Sequence, residues 1–181
     1  GSIYACHLLA HLDETRRDPA HPLPKDFRVR DLVFLAPAVD FDLFAMTLER
    51  HRDMFERFRM FSLSDEREAG YWEVPPLYPR SLLYLVSGLV ETEMFEGEER
   101  SAFDRPIVGM QRFYNVRDPD PFSEPSVARV REFFREDPTR AIWADGKHAL
   151  SDALTHGAFD ETGDGRPVAT MKTVLAQLAE A

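Results

Sequence analysis

The stretch Arg30-Asp-Leu-Val-Phe-Leu-Ala-Pro-Ala38 constrains this chain more than any other. Its apolar residues follow one another instead of alternating, and they are bounded by a charged pair and a proline. Such a run reads as a strand buried on both faces of a parallel sheet. A second run, Phe58-Arg-Met-Phe-Ser-Leu63, reads as another strand and ends at Ser64-Asp65-Glu66. Between the two, Asp40-Phe-Asp42 is suited to cap a helix carrying Leu43, Phe44, Met46 and Leu48 and extending toward Met54. Ahead of both, Ile3, Cys6, Leu8, Leu9 and Leu12 recur at helical spacing within Ser2 to Arg16, and a Pro and His cluster from Pro19 to Pro24 forms a loop. The order helix, strand, helix, strand points to an α/β fold with a mostly parallel sheet and flanking helices.

From Gly70 to about Asp120 the pattern is irregular. Val74-Pro-Pro-Leu-Tyr-Pro79 is a stiff turn, Ser81 to Val90 a short apolar helix, and Glu91 to Arg100 an acidic loop. We expect a lid-like insertion there, within a single domain spanning residues 1–181. Beyond it, Val127, Val130, Phe133 and Phe134 mark a helix over Ser126 to Glu136, and Thr139-Arg-Ala-Ile-Trp-Ala144 a final strand. Asp145 to Gly165 reads as loop. Val168 to Ala179 closes the chain as an amphipathic helix with Met171, Val174, Leu175 and Leu178 on one face.

Charge narrows the function. The 32 acidic against 22 basic side chains give a net charge of −10, which repels phosphate backbones and argues against a nucleic-acid partner. Cys6, the one cysteine, makes no internal disulfide, reads as a small buried hydrophobe, and gives no metal site built on several thiols. No apolar run reaches the ~18–20 residues that span a bilayer. These features predict a cytoplasmic protein that needs no cofactor and no metal.

Two residues stand where reactive groups sit in parallel α/β sheets, beyond the carboxyl ends of strands. Asp65 follows the second strand, and His156 lies in Leu154-Thr-His-Gly-Ala-Phe-Asp160, between the last strand and the last helix. An acid beside a histidine fixes the imidazole tautomer and stabilises its protonated form. Gly157 is suited to a tight turn that leaves the ring accessible. Asp40, after the first strand, is the rival acid. Asp42 and Glu66 read as capping or solvated residues, and Trp72 and Trp143 as packing residues.

An acid after one strand and a histidine after the final one follow the chain order Ser, acid, His. Four stretches carry a resemblance with that order: Gly1-Ser-Ile-Tyr-Ala5, Val33-Phe-Leu-Ala-Pro-Ala-Val-Asp40, Phe61-Ser-Leu-Ser-Asp65 and Thr155-His-Gly-Ala-Phe-Asp160. Through them the chain resembles the C-terminal half of a serine-hydrolase-like branch of the α/β-hydrolase superfamily. The resemblance implies hydrolysis of an ester, thioester or amide, with His156 as base and Asp65 orienting it; Asp65 is preferred to Asp40 because the strand before it is the commoner place for the acid. It also implies that Gly1 closes a G-x-S-x-G elbow whose serine lies upstream of this chain, so that the chain alone is inactive. Ser2 would fall in the first helical turn, a poor place for a nucleophile. Leu, Tyr and Phe between Pro75 and Arg112 suggest a small-molecule substrate with an apolar acyl or alkyl group. An unpaired sheet edge would allow a homo-oligomer. The alternative is a non-catalytic binding or scaffold protein with the same fold.

Overall fold

In a computed structural model, residues 1–20, 23–70, 106–116, 120, 122–159, 162–163, 166–167 and 169–180 are described. Helix α1 (Ser2–Arg17) is followed by β1 (Val29–Leu35), α2 (Phe41–His51), β2 (Phe55–Leu63) and the short α3 (Asp65–Gly70). After a 3-10 turn at Gln111–Tyr114 come α4 (Pro125–Glu136), β3 (Ala141–Ala144), a 3-10 turn at His156–Phe159, the two-residue strands β4 (Thr162–Gly163) and β5 (Arg166–Pro167), and α5 (Ala169–Ala179). The main sheet is parallel throughout, in the order β1-β2-β3. No helix among the described residues is long and apolar enough to cross a membrane.

Central β2 has both faces covered, and its period of two sorts its side chains between two cores. Phe58 and Met60 join residues of α1, α2 and α4 on one side, while Phe61 and Leu63 meet Ile142, Phe159 and Val174 of α5 on the other. The first core is aromatic. The Phe58 ring lies 5.2 Å from Phe34, 5.5 Å from Phe44, 5.4 Å from Phe133 and 5.8 Å from Phe134. Helix α2 starts as its sequence implies, with Asp40 Oδ1 accepting the Leu43 amide at 2.7 Å. Val127, Val130, Phe133 and Phe134 of α4 are all buried.

Three expectations change. Among the described residues strand β1 pairs only with β2 and stands at the edge of the sheet, with Phe34 alone of its side chains buried, whereas the run was expected to be covered on both faces. On α5 the buried face is Thr170, Val174 and Gln177, while Leu175 and Leu178 are exposed. Polar partners account for that rotation: Thr170 Oγ1 meets Ser151 Oγ at 2.7 Å, and Gln177 Nε2 donates to Asp31 Oδ1 at 3.0 Å. Within the expected lid, Ile107, Val108, Met110 and Phe113 are fully buried. The Val108 amide donates to Val39 O at 2.9 Å, and Ser62 Oγ donates to Gly109 O at 2.7 Å. This part of the stretch fills the core above β1 and β2. The turn at 74–79, the helix at 81–90, the acidic loop and Trp72 lie outside the described residues.

A partly buried ion pair fastens α5 to the amino-terminal end of the sheet. Asp31 and Arg57 stand opposite each other in register on β1 and β2, with Arg57 Nε 2.7 Å from Asp31 Oδ1. Hydrogen bonds from Arg57, and then from Gln177 and Arg30, outweigh burial and hold the Asp31 carboxyl at about 2, below its ordinary 3.8. A carboxyl whose folded value is depressed stabilises the fold above its unfolded value and loses that contribution as pH falls through the folded one. Asp31→Asn should therefore cost about 2 kcal/mol at pH 7, and roughly half of that at pH 3. Urea melts of both proteins at the two pH values check this; a deficit that does not vary with pH would refute the ionic origin.

Candidate active site

The pairing of β2 with β3 sets Leu63 opposite Ala144, so both strands end side by side. The Ser64 amide extends the ladder by donating to Ala144 O at 2.8 Å. Helix α3 then begins at once, and its position is fixed from three directions. The Glu68 amide donates to Ser64 O at 3.0 Å. The Asp65 amide donates to Gln111 Oε1 at 2.9 Å, and Arg67 Nε donates to Asp145 O at 2.9 Å.

The loop after β3 bends over this helix at Gly146, which has φ of +85°. A Cβ there would stand 2.3 Å from Leu154 Cδ2 and 3.3 Å from Arg67 Nη2, so the left-handed turn needs glycine on both counts. The chain then enters the 3-10 turn at His156, which is anchored from below by Phe159, buried with Phe61, Leu63 and Ile142. Gly157 has open space around its Cβ position and no positive φ, so neither crowding nor backbone conformation demands glycine there.

The imidazole of His156 meets a carboxylate. His156 Nε2 lies 2.8 Å from Glu68 Oε1, with the Glu68 side chain 1% exposed and that of His156 15%. Glu68 Oε2 is buried with no hydrogen-bond partner, as is Ser64 Oγ one turn earlier. An orphaned buried oxygen of this kind is uncommon and calls for an explanation. A carboxylate accepts, so a neutral ring bonded to it donates from Nε2 and keeps Nδ1 as its basic nitrogen.

The three candidate residues are placed as follows. His156 stands beyond the carboxyl ends of β2 and β3, in contact with an acid. Asp65 opens α3, and Asp40 caps α2. The carboxylate found on the imidazole belongs to Glu68, which reading the sequence did not single out. A signal was present: Asp65 and Glu68 are three apart on one short helix, so they share a face. Strand-end logic points to the first acid after β2, whereas the first turn of α3 carries the reach one residue triplet further.

A second His–carboxylate contact, His51 Nδ1 with Asp13 Oδ2 at 2.8 Å, differs in kind. Arg16 and Arg17 also bind Asp13, which makes it the hub of an ion-pair network between α1 and α2. Among the described residues no group of three His, Cys, Asp or Glu side chains is arranged to hold a metal ion. Comparison with family models, curated proteins and solved structures finds no match to this chain.

Proposed function

We propose that this chain supplies the histidine and the acid of a Ser-His-acid triad in an α/β-hydrolase acting on ester, thioester or amide bonds. The serine comes from upstream of Gly1. The observation carrying the reading is the contact between His156 and the buried Glu68, at the ends of adjacent parallel strands. Order along the chain supports it as well, since the acid follows one strand of the main sheet and the histidine follows that sheet's last strand, β3. In the reaction His156 takes the serine proton as the hydroxyl attacks the carbonyl and later gives it to the leaving group. Glu68 orients the ring and stabilises its charged form; Asp65, one turn earlier, is another acid of the same short helix. The substrate is a small molecule with an apolar acyl or alkyl group.

The reading includes a departure from the usual triad. There the acid takes Nδ1 and the serine faces Nε2. Here the acid takes Nε2, so the serine must approach Nδ1.

The test is labelling of the natural full-length gene product by a fluorophosphonate probe. His156→Ala should slow labelling by at least ~10³-fold, as loss of a triad base does. Labelling at the parent rate would remove His156 from the mechanism.

A further inference from the structure

We infer that a cavity at the amino-terminal edge of the sheet binds a small phosphate-bearing anion. The cavity, of about 240 Å³, is lined by Arg52, Arg57, Arg59 and Arg140 and by the acids Glu56, Asp137 and Glu180. Asp31 and Glu136 also pair with two of these arginines, so the cavity stands out by how its arginines are paired and not by an excess of positive charge.

The acids do not satisfy the arginines evenly. Arg57 is bound to Asp31, and Arg140 lies 3.1 Å from Glu136 and 3.8 Å from Asp137. Neither Arg52 nor Arg59 has a carboxylate within 4.0 Å among the described residues, and Arg59 Nε is buried without an acceptor. Arg52 donates to Phe55 O at 2.7 Å, with its guanidinium 4.6 Å from the Phe55 ring and 5.7 Å from the Phe133 ring. Arg140 stacks 4.2 Å from the same Phe133. Two guanidinium groups held on one phenyl ring repel each other. An oxyanion accepting from both would turn that repulsion into attraction, and a guanidinium offers such a group forked hydrogen bonds.

Size and charge select the ligand. At about 30 Å³ per water, the cavity holds roughly eight waters, which is room for one compact anion and not for a polymer backbone. The net negative charge also opposes nucleic acid. The site is separate from His156: Arg59 is its lining residue furthest along β2, and the four residues Met60 to Leu63, a rise of about 13 Å, lie between it and the strand end beside His156. It does not depend on the hydrolase reading.

Calorimetric titration of the full chain with sodium pyrophosphate at low ionic strength tests the proposal. The expected result is saturable one-to-one binding, weakened about tenfold or more by Arg52→Gln or Arg59→Gln and unchanged by Arg135→Gln, whose side chain is exposed and pairs with Glu132. Because a variant can fail for reasons of folding, the wild-type Arg59 Nε–H resonance is followed in the same titration and should shift to saturation. Absence of saturable heat, an Arg59 resonance that stays in place, or variants that bind as the parent does would overturn the proposal. So would tighter binding of a twelve-nucleotide DNA strand than of pyrophosphate.

Discussion

Glu68→Gln in the full-length gene product should slow fluorophosphonate labelling by about 10³- to 10⁴-fold while leaving the chain folded. The magnitude follows from what an acid does in a triad: it sets the tautomer of the ring and stabilises the imidazolium, and replacing it by its amide costs about 10⁴ in kcat where measured. Glutamine keeps the volume of the buried side chain, so the packing around it is spared. It can, however, present its NH₂ group to Nε2. That would force the proton to Nδ1 and remove the base from the side the serine uses. Asp65→Asn is the companion variant. If Glu68 is the acid, Asp65→Asn changes labelling no more than a few-fold. The opposite ranking would return the role to Asp65 and leave Glu68 as a structural partner of the ring.

The second large effect is on stability. Asp13→Ala should destabilise the fold by about 3 kcal/mol, the low end of the range for breaking a buried pair. The Asp13 side chain is 1% exposed and meets Arg16 at 2.6 Å, Arg17 at 2.7 Å and His51 at 2.8 Å. Burial pushes its carboxyl up, and hydrogen bonds from His51 and Arg16, with the charges of Arg17 and Arg16, more than reverse that. The ionic part of this contribution is therefore present above the ordinary carboxylate range and is lost as pH falls below it. Two features keep the cost from being larger. Arg16 retains Asp53 at 2.7 Å, and Arg17 is 66% exposed and returns to water. In a chain of this size the loss corresponds to a midpoint lowered by roughly 6–12 °C. A melting temperature within a degree or two of the parent would show that the network contributes little.

The sequence disclosed the class of the fold because its strongest local signals agree with the tertiary structure. Asp40 caps α2, the apolar spacing of α4 faces the core, and the apolar runs become parallel strands. The edge position that β1 takes among the described residues was not legible, because a run such as Leu32 to Leu35 has the same composition at an edge or in a centre and only strand order decides. The α5 face was misread for a different reason. Thr170 and Gln177 are buried because Ser151 and Asp31 hydrogen-bond them, and hydrophobic periodicity carries no record of such partners. Ile107, Val108, Met110 and Phe113 enter the core through an irregular stretch with no period to detect. At the site, the place of His156 was visible as a connection following the last strand of the main sheet. The identity of its acid was not, because Ser64-Asp-Glu-Arg-Glu68 offers three carboxylates and only the turn of α3 selects among them.

Anchoring of the His156 ring through Nε2 by a buried carboxylate is the claim on which the catalytic account stands. Long-range ¹H–¹⁵N correlation spectra of this chain, recorded where free imidazole is neutral, read the tautomer directly. The account predicts that His156 carries its proton on Nε2, that this proton exchanges slowly with water, and that Glu68→Ala abolishes the slow exchange. A His156 ring protonated on Nδ1, or an Nε2 proton indifferent to Glu68→Ala, would contradict it.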